Sequence, residues 1–237
     1  NFEENIGLDM ISDILPIDDY RKKMNYIKTE LENGNAYQIN FTMNKQFQIK
    51  QDPLKFYLAI RNLVKPAFGY YIKCNNNYIL SLSPEQFFNT KNLLIKSYPM
   101  KGTRPRSKDK IKDKQFKKSL KNSSKDRAEH LMIVDLLRND IGKICEYGSV
   151  NVRDLFKINS YKTVHQMVSC IEGKLNPSIK NIDIFKALCP GGSITGAPKE
   201  SSMKIIDLLE DYNRGIYTGT IGYIDINKDM NFNIAIR

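Results

Sequence analysis

No stretch of the 237-residue chain approaches the roughly 18 consecutive apolar residues of a membrane helix, and no apolar, signal-like segment opens it. No membrane partner is expected. Cysteine is scarce. Cys74, Cys145, Cys170 and Cys189 form no CxxC pair and fit no common zinc spacing. A disulfide framework is not expected in a chain this long without secretion signals, so the four read as reduced, mostly buried thiols of a cytoplasmic protein. There is no GxGxxG after a strand and no Walker sequence, which argues against a nucleotide cofactor. Histidine occurs only as His130 and His165, and no internal repeat is present.

What is present is ordinary globular material. Hydrophobic residues make up 41% and charged residues 27%, in a chain long enough to bury a sizeable core as one large domain or two small ones. The net charge of +11 invites a nucleic-acid reading, but 13 basic and 3 acidic residues between Lys96 and Arg127 carry +10 of it. Within that segment, KDKIKDKQFKKSLKNSSKDR holds a single Phe and lacks the interleaved aromatics of a strand-binding groove. It reads as a solvated loop and helix face, and no nucleic-acid partner is expected. A basic nucleic-acid-binding domain is the alternative from a different class, marked by salt-dependent duplex binding.

The pattern predicts a first helix from Asp18, its cap, through Tyr20, Met24, Ile27 and Leu31 to Gly34. AYQINFT alternates as a half-buried strand. Asp52-Pro53 opens a short helix to about Asn62, and FGYYIK, NYILSLS, QFF and LLIKSY follow as strands with Asn-rich turns. A long helix spans about Ser124–Ile141, VHQMVSCIEG is a strand and IDIFKALC a short helix. Pro198 starts a third long helix whose core side is Met203, Ile206 and Leu209 or Leu208, and a hairpin closes the chain. Strands in runs, without regular βαβ alternation, point to an α+β fold with mainly antiparallel sheets.

Several residues carry chemistry. A hairpin between Glu85 and Lys101 would bring a carboxyl and an amine toward one end of a sheet, as a general acid and a nucleophile. The amine attacks only when neutral, a form that burial or a neighbouring cation favours. Gly191 and Gly192 allow close backbone approach to a ligand, and Ser193 and Thr195 add hydroxyls just before a helix start, which suits carboxylates. Asp126 and Glu129, at i and i+3, share a helix face.

Four blocks hold these residues in order: AYQINFT, SPEQFF…SYPMKGTRPR, KDRAEHLMIVDLLRNDIGK and PGGSITGAPKESSMKIIDLLEDYNRGIYTGTIGYI…FNIAIR. Together they resemble the chorismate-binding enzymes, which include anthranilate synthase component I, aminodeoxychorismate synthase component I and the isochorismate and salicylate synthases. The resemblance covers nearly the whole chain and implies one catalytic domain over residues 1–237, built from two packed, mainly antiparallel sheets flanked by helices. Lys101 and the GGSITGAPK wording match the aminodeoxychorismate branch. The anthranilate branch usually carries Ala at the first position and AGTLSGAPK at the second. Isochorismate-type enzymes place a water-activating Lys at the position of Gln38, and a glutamine cannot act as that base.

From the resemblance follow chorismate as substrate and ammonia from a glutamine amidotransferase subunit as partner. It also implies Mg2+ as cofactor, with Glu129 as a ligand and Asp126 only as a residue behind it. Lys101, Glu85 and His165 are implied as catalytic, and Gln38, Gly102, Thr103, Gly191, Gly192, Ser193, Thr195, Tyr217 and Arg237 as substrate-binding. Relatives continue past the residue matching Arg237 into a helix whose acidic residues complete the metal site, and begin with a further N-terminal half. Both parts are expected to lie outside this chain.

Overall fold

The computed structural model describes residues 8–11 and 15–237. Their elements, in chain order, are β1 (Leu8–Met10), α1 (Ile17–Glu32), β2 (Gln38–Ile39), β3 (Phe47–Ile49), α2 (Pro53–Val64), β4 (Phe68–Cys74) and β5 (Asn77–Ser83). Next come β6 (Gln86–Lys91), β7 (Leu94–Ser97), β8 (Met100–Pro105), α3 (Lys110–Asn122), α4 (Ser124–Gly142), β9 (Asn151–Ser160), β10 (Val164–Lys174) and α5 (Asn181–Leu188). After a helical turn at Gly192–Thr195 follow β11 (Gly196–Ala197), α6 (Lys199–Leu209), β12 (Thr220–Ile224) and β13 (Met230–Ile234). They form two compact units. One holds residues 1–84, 194–218 and 235–237; the other holds 85–193 and 219–234.

The second unit is built on a seven-stranded antiparallel sheet, β12-β13-β6-β7-β10-β8, with β9 also on β10. β10 is its axis. β9 runs along one edge, so β7, opposite Ile171–Lys174, and β8, opposite Val164–Val168, share the other. Strand β10 is buried along nearly its whole length, with the polar His165, Ser169 and Glu172 buried along with its apolar residues. α4 turns His130, Ile133, Val134, Leu137 and Ile141 inward. At the other end Phe88 stacks on Phe232 at 5.4 Å between centroids, and Phe185 of α5 meets Phe232 edge-on at 5.0 Å. Each such buried side chain contributes roughly 1.5–3 kcal/mol.

The lysine-rich segment forms α3, capped by Asp109, whose carboxylate accepts the amides of Ile111 and Lys112. Lys110, Lys112, Lys114, Lys117, Lys118 and Lys121 are all exposed, as a solvated face requires. Leu120 is buried, and Asp113 is gripped by Arg106 through both carboxylate oxygens at 2.8 and 3.0 Å.

In the first unit the α+β character persists in smaller pieces: three two-stranded sheets, β1-β3, β2-β11 and β4-β5. AYQINFT is not a full strand. Only Gln38 and Ile39 pair, with Ala197 and Gly196. Ile39 and Phe41 pack on Ile27, Ala36, Ile205 and Leu209, which join α1 to α6. The core side of α6 is Ile205, Ile206 and Leu209, while Met203 and Leu208 are exposed. Asp18 does not cap α1; Pro16 precedes the helix, and Asp18 pairs with Arg21 in its first turn. β9, β1 and β3 have no counterpart in the sequence reading.

One buried ion pair organises this unit. Arg214 grips Glu210 at 2.6 and 2.8 Å, and also donates to the carbonyls of Asn40 and Ile194 at 2.6 and 3.0 Å. Glu210 additionally accepts the Thr42 amide and hydroxyl at 2.8 and 2.9 Å. Burial pushes the Glu210 carboxyl up, but the bonds from Arg214 and Thr42 outweigh it and hold it below its ordinary 4.5. In the second unit the Arg106 bonds, with the Ser107 amide, hold Asp113 well below its ordinary 3.8. Both folded values are depressed. The stability these groups add is therefore complete above the ordinary carboxylate range and is lost as the pH falls below it, toward the folded values. The urea midpoint is expected to be lower at pH 3 than at pH 7; an equal midpoint contradicts this.

Candidate active site

Lys101 sits on β8 where the backbone bulges. The register with β10 shifts between Gln166 and Met167, leaving Gly102 unpaired with φ +71°. A Cβ on Gly102 would lie 2.9 Å from Leu120 Cδ1 and 3.1 Å from Asp126 Cβ, so the position demands glycine by backbone and by space. The Lys101 amine donates to the Ser193 carbonyl at 3.3 Å and stands 3.7 Å from Glu129 Oε1. A nitrogen projecting into open solvent would have no such partners.

Beside it a small cavity is lined by Glu85, Pro99, Ile133, Leu136, Gly191, Gly192 and Ser193, among others. The structure thus brings Glu85 and the glycine turn to one cavity, and Lys101 to the same turn through Ser193, with Glu129 against the lysine. Gly192 is there because Leu136 is. A Cβ on Gly192 would come within 2.1 Å of Leu136 Cδ2. Gly192→Ala is expected to cost about 1–3 kcal/mol by overpacking and to displace Ser193. Adding Leu136→Ala should recover part of the urea midpoint; no recovery contradicts the clash.

Two predicted roles change. Asp126 shares Glu129's helix face, but its carboxylate is taken by Arg104 at 2.7 Å, and the first-turn bond from its amide goes to Ser123 at 3.3 Å. Its work is to brace the β8 bulge. His165 is not turned toward Lys101. It lies opposite Arg104, 1% exposed, with Nδ1 bound to Ser160 at 2.9 Å and Nε2 to Asp113 at 3.0 Å. Neighbouring strand residues face opposite sides, and it is Gln166 that lies opposite Thr103.

The residues placed in the first unit have their own surroundings. Gln38 is on β2, and its carbonyl accepts the Ser202 hydroxyl at 3.0 Å. Thr195 is buried, and its carbonyl accepts the Asn40 amide at 2.9 Å. Tyr217 is half exposed, and the Arg237 carbonyl accepts the Leu82 amide at 2.6 Å.

The sequence reading missed His130. The ring is fully buried, and its Nε2 shares a hydrogen bond with Ser169 Oγ at 2.7 Å. Burial, with the charge of Lys101 added, pushes its pKa down to about 4, so it is neutral at pH 7. Its signal was the AEH triplet beside Glu129, but nothing in a linear sequence names Ser169 as partner.

No group of three or more His, Cys, Asp or Glu fit to hold a metal exists among the described residues. Mg2+ takes few protein carboxylates and completes its shell with water and substrate oxygens. Glu129, half exposed and beside the amine, fits as one such ligand. None of the four cysteines is in a disulfide, and no described helix is long and apolar enough to cross a membrane.

Comparison with known proteins identifies the family. The chorismate binding enzyme family model matches residues 2–237. Aminodeoxychorismate synthase component 1 of Salmonella typhimurium is 40% identical over 219 residues, covering 92% of this chain and 48% of that protein. Anthranilate synthase component 1 of Saccharolobus solfataricus is 37% identical over 207 residues, covering 87% and 49%. The crystal structure of anthranilate synthase component I from Streptococcus pneumoniae superposes with a TM-score of 0.85 at 30% identity, over 98% of this chain and 51% of that one. The chain spans about half the length of the curated relatives it matches.

Proposed function

Because this chain belongs to the chorismate binding enzyme family, we propose that it is the aminating component of an aminodeoxychorismate synthase. It replaces the C4 hydroxyl of chorismate with an amino group, on the way to 4-aminobenzoate and folate. The observation that carries the reading is the Lys101 amine, 3.3 Å from the Ser193 carbonyl at the turn that lines a cavity with Glu85. Aminodeoxychorismate synthases recur among the relatives at 36–41% identity. Gln38 adds support, since an amide cannot deprotonate water and ammonia needs no such base.

The Lys101 nitrogen lone pair bonds to ring C2, both ring double bonds shift by one position, and the C4–O bond breaks as Glu85 protonates the departing oxygen, releasing water. Ammonia then bonds to C4, both double bonds shift back, and the C2–N bond breaks to return Lys101. The new C4 ammonium gives its extra proton to the Glu85 carboxylate. The sum is chorismate and ammonia to aminodeoxychorismate and water. A bound Mg2+, held by Glu129, supplies positive charge against a substrate carboxylate. The ammonia source is a glutamine amidotransferase partner, a reading supported by relatives designated component 1. The four unbridged cysteines suit a cytoplasmic setting.

The test is to incubate full-length protein, including the segment that relatives carry beyond the residue matching Arg237, with chorismate, Mg2+ and an ammonium salt and identify the product by mass. Aminodeoxychorismate is expected. Anthranilate or isochorismate overturns the branch, and unconsumed chorismate overturns the activity.

A further inference from the structure

We propose that the buried His130–Ser169 pair is a positioning device that sets the separation of Lys101 and Glu129. The inference rests on the chorismate reading of that site and adds two residues to it.

Glu129 and His130 are consecutive on α4, about 100° apart around its axis, so the carboxylate reaches outward while the ring turns into the core. The ring is 0% exposed and its Nε2 meets Ser169 Oγ at 2.7 Å. Ser169 belongs to β10, the strand that carries Lys101's neighbours. Met167 is the register partner of Lys101, and the Ser169 amide donates to the Pro99 carbonyl at 3.3 Å. The Phe156 amide from β9 donates to the same Ser169 oxygen at 3.2 Å, which fixes the hydroxyl between three elements. One short bond therefore ties the helix bearing Glu129 to the strands bearing Lys101.

A hydrophobic side chain would fill this space at less cost. His130 Nδ1 is buried without a hydrogen-bond partner among the described residues, and such an atom is destabilising. The ring packs 5.8 Å from Phe156, so the aromatic contact alone does not require an imidazole. What only the imidazole provides is the bond to Ser169.

The test uses His130→Leu, Ser169→Ala and His130→Gln, the last able to place an amide nitrogen near Nε2. Leu and Ala are each expected to lower kcat about 10–100-fold, the range seen when supporting hydrogen bonds around a site are removed. KM for chorismate should barely move, Ser169→Ala should also lower Tm by stranding the ring nitrogen, Gln should recover most of the kcat loss, and the Leu/Ala double variant should have a kcat no lower than either single one. A purely structural role would lower Tm and leave the kcat of the folded fraction intact; that result overturns the proposal. Acylation of Lys101, followed by peptide mass, reads the same geometry without turnover. It should quicken in both single variants as the Lys101–Glu129 pairing loosens, and an unchanged rate counts against the device. Product formation by the unaltered protein reports on the underlying activity separately.

Discussion

Lys101→Ala is expected to lower aminodeoxychorismate formation by about 1,000-fold or more, the scale on which loss of a covalent nucleophile acts. The argument is positional. The amine is the only part of Lys101 that reaches the Ser193 carbonyl and Glu129, so alanine removes the reacting atom and leaves the bulge in place. Gly102 and Asp126 hold that bulge by contacts that do not involve the lysine side chain. Fold and Tm should therefore survive. Lys101→Arg is expected to be equally inactive, because a guanidinium stays protonated and cannot attack. Steady-state product formation measured by mass is the check. Activity within tenfold of the unaltered protein in either variant would show that no covalent lysine step occurs.

Arg214→Met should destabilise the first unit by about 3–5 kcal/mol, the cost of leaving one member of a buried ion pair uncompensated. Glu210 would keep its bonds from Thr42 but lose both from Arg214, and the carbonyls of Asn40 and Ile194 would lose their donor. The double variant Glu210→Met/Arg214→Met should cost less than the sum of the two single ones, since no buried charge is then stranded. Urea denaturation of the three variants decides it. A single-variant loss below about 1 kcal/mol, the size of an exposed pair, contradicts the buried-pair reading.

Much of the site was legible from residue type taken together with the family resemblance. Glu85, Lys101 and the glycine turn stand out because acid, amine and close-approach glycines are needed for the chemistry whatever the surroundings. Glu85 and the glycine turn line one cavity, and Lys101 reaches that turn through the Ser193 carbonyl. Other residues were misread for identifiable reasons. The family resemblance implied a catalytic His165, yet strand parity directs it to Asp113 and leaves Gln166 opposite Thr103. Asp126 shares a helix face with Glu129 but is claimed by Arg104, which helical spacing cannot reveal. AYQINFT alternates well enough to suggest a strand, but only two of its residues find a partner, because pairing is decided by a segment more than 150 residues away.

By itself, the order of residues determined the α+β class, the long helices, the family and the reactive side chains, because propensity, periodicity and functional-group chemistry are local properties. Only tertiary structure decided which of those groups meet. The Lys101–Ser193 bond and the His130–Ser169 tie join residues far apart in the chain, the Arg214–Glu210 clasp is completed by Thr42, Asn40 and Ile194, and none of the three was visible beforehand. Burial converts these pairings from weak, screened interactions into strong ones, and burial exists only once the sheet and helices have closed around them.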